Sequence, residues 1–141
     1  MNEDETRASF ENAMATYEQA FGTFFLARLL DLAISYPDDF CLVEFEAREF
    51  MFNPQGSLHG GIVATVMDIS MGHLLRQRSG AGGATLELKV QYLRPLRSGR
   101  LRCEGRVLRE GRSVAFLESR LFDPDGRLSA MATSTWKPGT A

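Results

Sequence analysis

The chain has 141 residues, 44% of them apolar and 24% charged, with a net charge of −2. That length suits one domain able to bury a core without disulfide or metal support, and the slight acidic balance excludes a protein built mainly to grip nucleic-acid phosphates. Two widely separated cysteines, Cys41 and Cys103, give neither a disulfide framework nor metal-ligand spacing and are expected to be small buried hydrophobes.

The N-terminus, MNEDETR, is acidic, unlike the basic start of a signal peptide. The apolar run over 20–34 is interrupted by Arg28 and Asp31 and is too short to cross a bilayer. A soluble, cytoplasmic protein with no membrane partner is the expectation. Phe10, Met14, Tyr17, Phe21, Phe24 and Phe25 recur near a period of 3.6, which predicts an amphipathic helix or a helix pair. Tyr36-Pro37 ends that pattern, because the residue before a proline avoids helical backbone. Over 41–47 the period changes to two, with Cys41, Val43, Phe45 and Ala47 on one face, a strand with one wet side.

A turn-prone stretch over 53–57 leads into His59-Gly60-Gly61. The following run, 62–75, is apolar on nearly all sides, as in a helix enclosed by other structure. A flexible loop over 80–83 closes it. Four strands are then predicted, over 85–93, 100–109, 113–122 and 128–136. The turns Glu110-Gly111-Arg112 and Asp123-Pro124-Asp125-Gly126 punctuate the later ones. The predicted class is α+β, an antiparallel sheet around one apolar helix. A helical extension over 1–39 precedes the main domain, 40–141.

Between Phe50 and Leu75 the single formally charged residue is Asp68, inside the apolar helix. Aspartate is a poor helix-interior residue, and desolvation raises its pKa, the setting of an acid/base or nucleophilic carboxylate. The bland alternative is a carboxylate that emerges at a gap in the sheet or caps a backbone amide. Gly60 and Gly61 let a ligand approach the free N–H groups of a helix start, which stabilise negative charge. Counted from Gly61, Asp68 lies about 10 Å along the helix axis. Reacting atoms must come within about 3–3.5 Å of each other. One chain's pair therefore cannot serve one carbonyl, whereas two antiparallel copies of the helix could, which predicts at least a dimer.

The stretch over 53–68, with Asn53, His59-Gly60-Gly61 and Asp68, resembles the signature of hotdog-fold thioesterases of the phenylacetate-degradation type. The likeness continues through Tyr92-Leu93-Arg94-Pro95, Gly111-Arg112 and Asp125-Gly126. The resemblance implies the hotdog fold, subunits whose sheets join edge to edge as a homodimer or homotetramer, and hydrolysis of acyl- or aryl-CoA thioesters. Coenzyme A then enters as part of the substrate, with no separate cofactor and no metal. It makes Asp68 the catalytic nucleophile or general base and a Gly60 or Gly61 amide the oxyanion donor. It gives Asn53 and His59 the shaping of the site, and Thr85 an assisting role from the partner subunit.

Arg94, Arg97, Arg100 and Arg102 cluster around one predicted turn, where guanidinium groups could pair with coenzyme A phosphates or simply form a solvated basic edge. Phe50, Met51, Phe52, Met67 and Met71 are candidates for the acyl-pocket wall, or plain core. The N-terminal segment either covers the acyl pocket or contributes to subunit packing. The rival functions are a hydratase of the same fold and a noncatalytic acyl-CoA-binding module.

Overall fold

Residues 1–140 are described by a computed structural model. Helix α1 (Glu3–Thr16) starts at Asn2, whose side chain accepts the Glu5 N–H, and carries Glu3, Asp4 and Glu5 in its first turn. Acids there complement the helix dipole. A bend over 17–24 leads to the short α2 (Phe25–Leu29). Phe10 and Tyr17 both meet the Phe25 ring edge-on at 5.7 Å. The aromatic periodicity thus marks a helix pair.

A short strand follows, β1 (Ala33–Ser35), paired antiparallel with β2 (Cys41–Glu46). The sequence pattern predicts no strand before Tyr36, because three residues are too few to display a period of two. The sheet therefore begins inside the stretch assigned to the helical extension, and the division at 39/40 does not coincide with its first strand. After a single helical turn at Glu49–Met51 comes the long α3 (Gly60–Ser79). It is followed by β3 (Gly83–Tyr92), β4 (Arg100–Glu110), β5 (Ala115–Phe122) and β6 (Leu128–Pro138). The six strands form one antiparallel sheet in the order β1-β2-β4-β5-β6-β3.

Helix α3 lies against one face of this sheet and touches every strand from β2 to β6. Its Val63, Val66, Met67, Met71 and Leu74 are buried against Val43, Phe45, Leu101, Leu117 and Leu121. The alternation predicted for β2 and for Leu101 and Cys103 of β4 is present. Both cysteines are fully buried free thiols, and burial pushes Cys41 up to about 12 and Cys103 up to about 11. Strand β3 departs from simple alternation. A bulge between Thr85 and Glu87 makes Leu86 the extra residue and leaves it 59% exposed, while Leu88 and Val90 still pack on the core.

The helix is less enclosed than its composition predicts. Ala64, Thr65, Asp68 and Gly72 form a half-buried stripe along the side that the sheet leaves uncovered. Small residues on that stripe carry little hydrophobicity of either kind, so the sequence shows no polar face there.

On the sheet side, close approach depends on Gly105 of β4. A Cβ there would stand 2.6 Å from the Ser70 carbonyl oxygen and 2.7 Å from its carbon. Backbone atoms cannot swing aside, so α3 would have to lift off the sheet. Gly105→Ala is expected to cost about 1–3 kcal/mol, the range for overpacking a tight core. A fall in the urea midpoint at unchanged slope measures this, and an unmoved midpoint would contradict the packing described.

Candidate active site

Asp68 projects from the middle of α3 into a pocket of about 660 Å³. The pocket is walled by Ala20, Phe21, Phe24 and Leu26 from the N-terminal segment, by Ile69 and Gly72 of α3, and by Leu88 and Trp136 of the sheet. Burial raises the Asp68 pKa above the ordinary carboxylate range, and a hydrogen bond from Thr85 pulls it partly back. Thr85 Oγ1 donates to Asp68 Oδ1 at 2.8 Å. Thr85 thus sits beside Asp68 of its own chain, next to the β3 bulge. One hydrogen bond leaves most of the carboxylate's acceptor capacity free toward the pocket.

The helix start forms a second concavity. It has a volume of about 330 Å³ and is lined by Asn53, Ser57, Gly60, Val63, Tyr92, Arg94 and Leu96, among others. Three of the predicted residues build its frame. Asn53 Oδ1 accepts from the N–H groups of Gln55 and Ser57, while its Nδ2 donates to Ser57 Oγ at 3.0 Å. Asn53 thereby locks the loop that delivers the chain to the helix. His59 is the N-cap of α3, and its Nδ1 accepts the Gly61 N–H at 2.8 Å. That bond leaves the other ring nitrogen as the N–H donor and commits the Gly61 amide internally. The Gly60 N–H has no hydrogen-bond acceptor among the described residues. Of the two glycines, Gly60 therefore carries the available donor. Tyr92, unassigned from the pattern beyond its place in Tyr92-Leu93-Arg94-Pro95, donates its hydroxyl to the Gly60 carbonyl at 2.7 Å. It anchors the first turn of α3 from the end of β3.

Asp68 and Gly60 of one chain thus open into different concavities, which share no lining residue among the described residues. The separation of about 12 Å along α3 agrees with this.

The predicted arginine cluster does not form one patch. Arg100 pairs with Glu44 and Arg102 with Glu104 on the sheet. Arg97 lines a groove beside α1 together with Phe50 and Phe52. Only Arg94 stands beside Gly60. Of the two readings given to the candidate pocket-wall residues, the methionines follow plain core. Met67 and Met71 are fully buried on the sheet side of α3, where Met71 Sδ accepts from Ser134 Oγ, and Met51 is core. None of these, and not Phe52, lines the pocket that holds Asp68. A helix has two sides, and Met67 adjoins Asp68 in sequence while facing away from it in space.

His73 escaped the sequence reading. It is 4% exposed, and it lines the Asp68 pocket one and a half turns further along α3. Burial lowers its pKa below the usual histidine value, partly opposed by a hydrogen bond to the Ile69 backbone. Its Nε2 accepts the Gly22 N–H at 3.0 Å, which requires the neutral ring. A lone histidine in an apolar run carries no signal of such a bond, since its partner lies 51 residues away.

The model of the thioesterase superfamily matches residues 55–130, which include Gly60, Asp68, Thr85 and Arg94. The chain is 31% identical over 155 aligned positions to the medium/long-chain acyl-CoA thioesterase YigI of Salmonella typhimurium, covering 91% of this chain and 99% of that protein. It is 32% identical to acyl-coenzyme A thioesterase 13 of Pongo abelii, covering 67% of this chain and 69% of that one. Among solved structures, a phenylacetic acid degradation-related protein of Ralstonia eutropha JMP134 superposes with a TM-score of 0.73 at 31% identity, over 79% of this chain and 88% of the other. A coenzyme A-bound protein of Bacillus halodurans shares the fold with a TM-score of 0.88 at 22% identity, over 99% and 94% of the two chains.

Proposed function

Because this chain belongs to the thioesterase superfamily and is a thioester hydrolase of hotdog fold, we propose that it hydrolyses acyl-CoA thioesters with Asp68 as the catalytic carboxylate. The observation that carries this reading is the one carboxylate in a mostly apolar pocket, held by a single side-chain hydrogen bond. Ionised, Asp68 attacks the thioester carbonyl carbon or takes a proton from the water that does. In the first route the C–S bond breaks as a mixed anhydride forms on Asp68, and water then hydrolyses that anhydride to the free acid and restores the carboxylate. In the second, water adds directly and the C–S bond breaks to give the acid. In both, the departing thiolate of coenzyme A takes up a proton. The charge that develops on the carbonyl oxygen needs a fixed donor, and the uncommitted Gly60 N–H at the positive end of α3 suits that role.

The separation of Asp68 from Gly60 supports a site shared between two copies of the chain. Strand β3 is long, lies at the edge of the sheet and leaves Leu86 and Tyr92 more than half exposed. An edge of this kind favours pairing with another strand. Pairing of two β3 edges supports a homodimer in which one subunit supplies Asp68 and Thr85 and the other Gly60, Tyr92 and Arg94. Arg94, with no ion pair among the described residues, then stands where a phosphate of coenzyme A can meet it.

Release of free thiol from a panel of acyl- and aryl-CoAs tests the proposal. Turnover of at least one member, with none of the hydrated product that a hydratase would leave, is the expected result. Tight binding without thiol release from any member would replace hydrolysis with the binding-module reading.

A further inference from the structure

The pocket that holds Asp68 is closed on one side by residues 19–26, outside the 55–130 stretch that the superfamily model matches. Resting on the thioesterase reading above, we propose that this segment is the acyl-selecting wall of the site. In this proposal it admits uncharged, apolar acyl groups well beyond acetyl and sets their length.

Three observations carry the inference. The first is the chemistry of the lining. Ala20, Phe21, Phe24 and Leu26 face Ile69, Leu88 and Trp136, and neither lysine nor arginine lines the pocket. An acyl group with its own carboxylate would find no counter-charge there and would meet the Asp68 carboxylate instead, which costs free energy at close range. The second is size. A volume of about 660 Å³ lies within the roughly 300–1,000 Å³ typical of pockets that enclose drug-sized ligands, far more than a two-carbon group fills.

The third is how the wall is held. Gly22 adopts a left-handed backbone (φ +83), which turns its N–H toward His73 Nε2 on α3 at 3.0 Å. The Phe21 ring then meets the His73 ring edge-on at 5.0 Å, and the Arg76 guanidinium lies over Phe21 at 5.4 Å. His73 is thus a positioning residue. It fixes the wall relative to the helix that carries Asp68, so the depth available to an acyl chain is defined. Two buried polar atoms without partners among the described residues, Thr23 Oγ1 and Arg28 Nε, fall in this segment or just beyond it.

Two substitutions in the full-length protein test the proposal by moving the profile in opposite directions. Phe24→Ala enlarges the pocket, and Ala20→Phe fills it. Thiol release is measured across straight-chain acyl-CoAs of increasing length, with succinyl-CoA as the charged control. The ratio of kcat/KM between neighbouring lengths is expected to shift roughly tenfold or more, the discrimination that one methylene in a hydrophobic pocket supplies. Phe24→Ala should favour longer chains and Ala20→Phe shorter ones, with succinyl-CoA poor throughout. Because each ratio is internal to one preparation, a partly unfolded variant cannot mimic a shift. If the native protein hydrolyses acyl-CoAs and both variants keep its profile, or succinyl-CoA ranks with the best substrates, the wall assignment is overturned and the thioesterase reading stands. If the native protein releases no thiol from any substrate, both fall together.

Discussion

Asp68→Asn is expected to lower turnover by about 10²–10⁴-fold, the contribution typical of a positioned acid/base group, while leaving the fold intact. Asparagine keeps the size of the side chain and can still accept from Thr85 Oγ1, 2.8 Å away in the native protein. What it cannot do is attack a carbonyl or take a proton. The same replacement should make the protein more stable at neutral pH. Burial raises the Asp68 pKa in the folded state, so the folded chain binds this proton more tightly than the unfolded chain. Stability from this group is therefore present below the ordinary carboxylate pKa and is lost as pH rises through the raised folded value. Above that window the ionised carboxylate is a cost that asparagine removes. Activity runs the other way, since it needs the ionised form. The acid limb of kcat/KM should lie above the usual carboxylate range, and the residual activity of the variant should lack that limb. A folded variant that turns over as fast as the native protein would remove Asp68 from the chemistry.

Replacing Gly60 by proline tests the other half of the proposed site. Gly60 is the first residue of α3, a position where proline is well tolerated because the N–H has no partner within the helix. The preceding His59 already has the extended backbone that proline requires (φ −61, ψ 133). Gly60→Pro therefore deletes the proposed oxyanion donor with little cost to the helix. A fall of about 10²–10³-fold in kcat is expected, as for loss of one such donor. Any side chain at this position meets the Tyr92 ring, whose nearest atom would lie 3.2 Å from an added Cβ. Gly60→Ala, which keeps the N–H and makes the same contact, separates the steric effect from the electronic one. Equal losses in the two variants would assign the effect to Tyr92. Co-assembly of Gly60→Pro with Asp68→Asn chains then addresses the shared site. A mixed dimer retains one intact pairing of Asp68 with the partner subunit's Gly60, so turnover should return on mixing. Mixtures as inactive as the separate variants would mean that both groups serve one chain's own site.

Much of this was legible in the linear pattern. Alternation identified β2 and β4 because one face of each is buried and the other wet. The loss of a polar face marked α3, and a single carboxylate within it marked the candidate site. The spacing from Gly61 to Asp68 already implied that one chain's pair cannot meet at one carbonyl. Tertiary structure showed why: the helix start and helix middle open into separate concavities.

The misreadings share a cause. Strand β1 was invisible because pairing, not pattern, makes three residues a strand. Met67 and Met71 qualified as pocket wall by composition, but side chains adjacent in sequence point to different sides of a helix, and these two face the sheet. Arg100 and Arg102 looked like part of a phosphate patch until their strand neighbours supplied acids. The contributions of Phe21, Phe24 and His73 depend on a contact between the N-terminal segment and α3 that no local periodicity encodes.

By itself, the sequence determined the sheet-and-helix class, the chemistry available at Asp68 and the glycine-flanked helix start. These follow from local preferences and from the cost of placing a charge among apolar neighbours. Only the tertiary structure decided which glycine amide stays free, which residue steadies Asp68 and which chain segment closes its pocket. Each depends on groups far apart in sequence that meet only after the sheet has formed around α3.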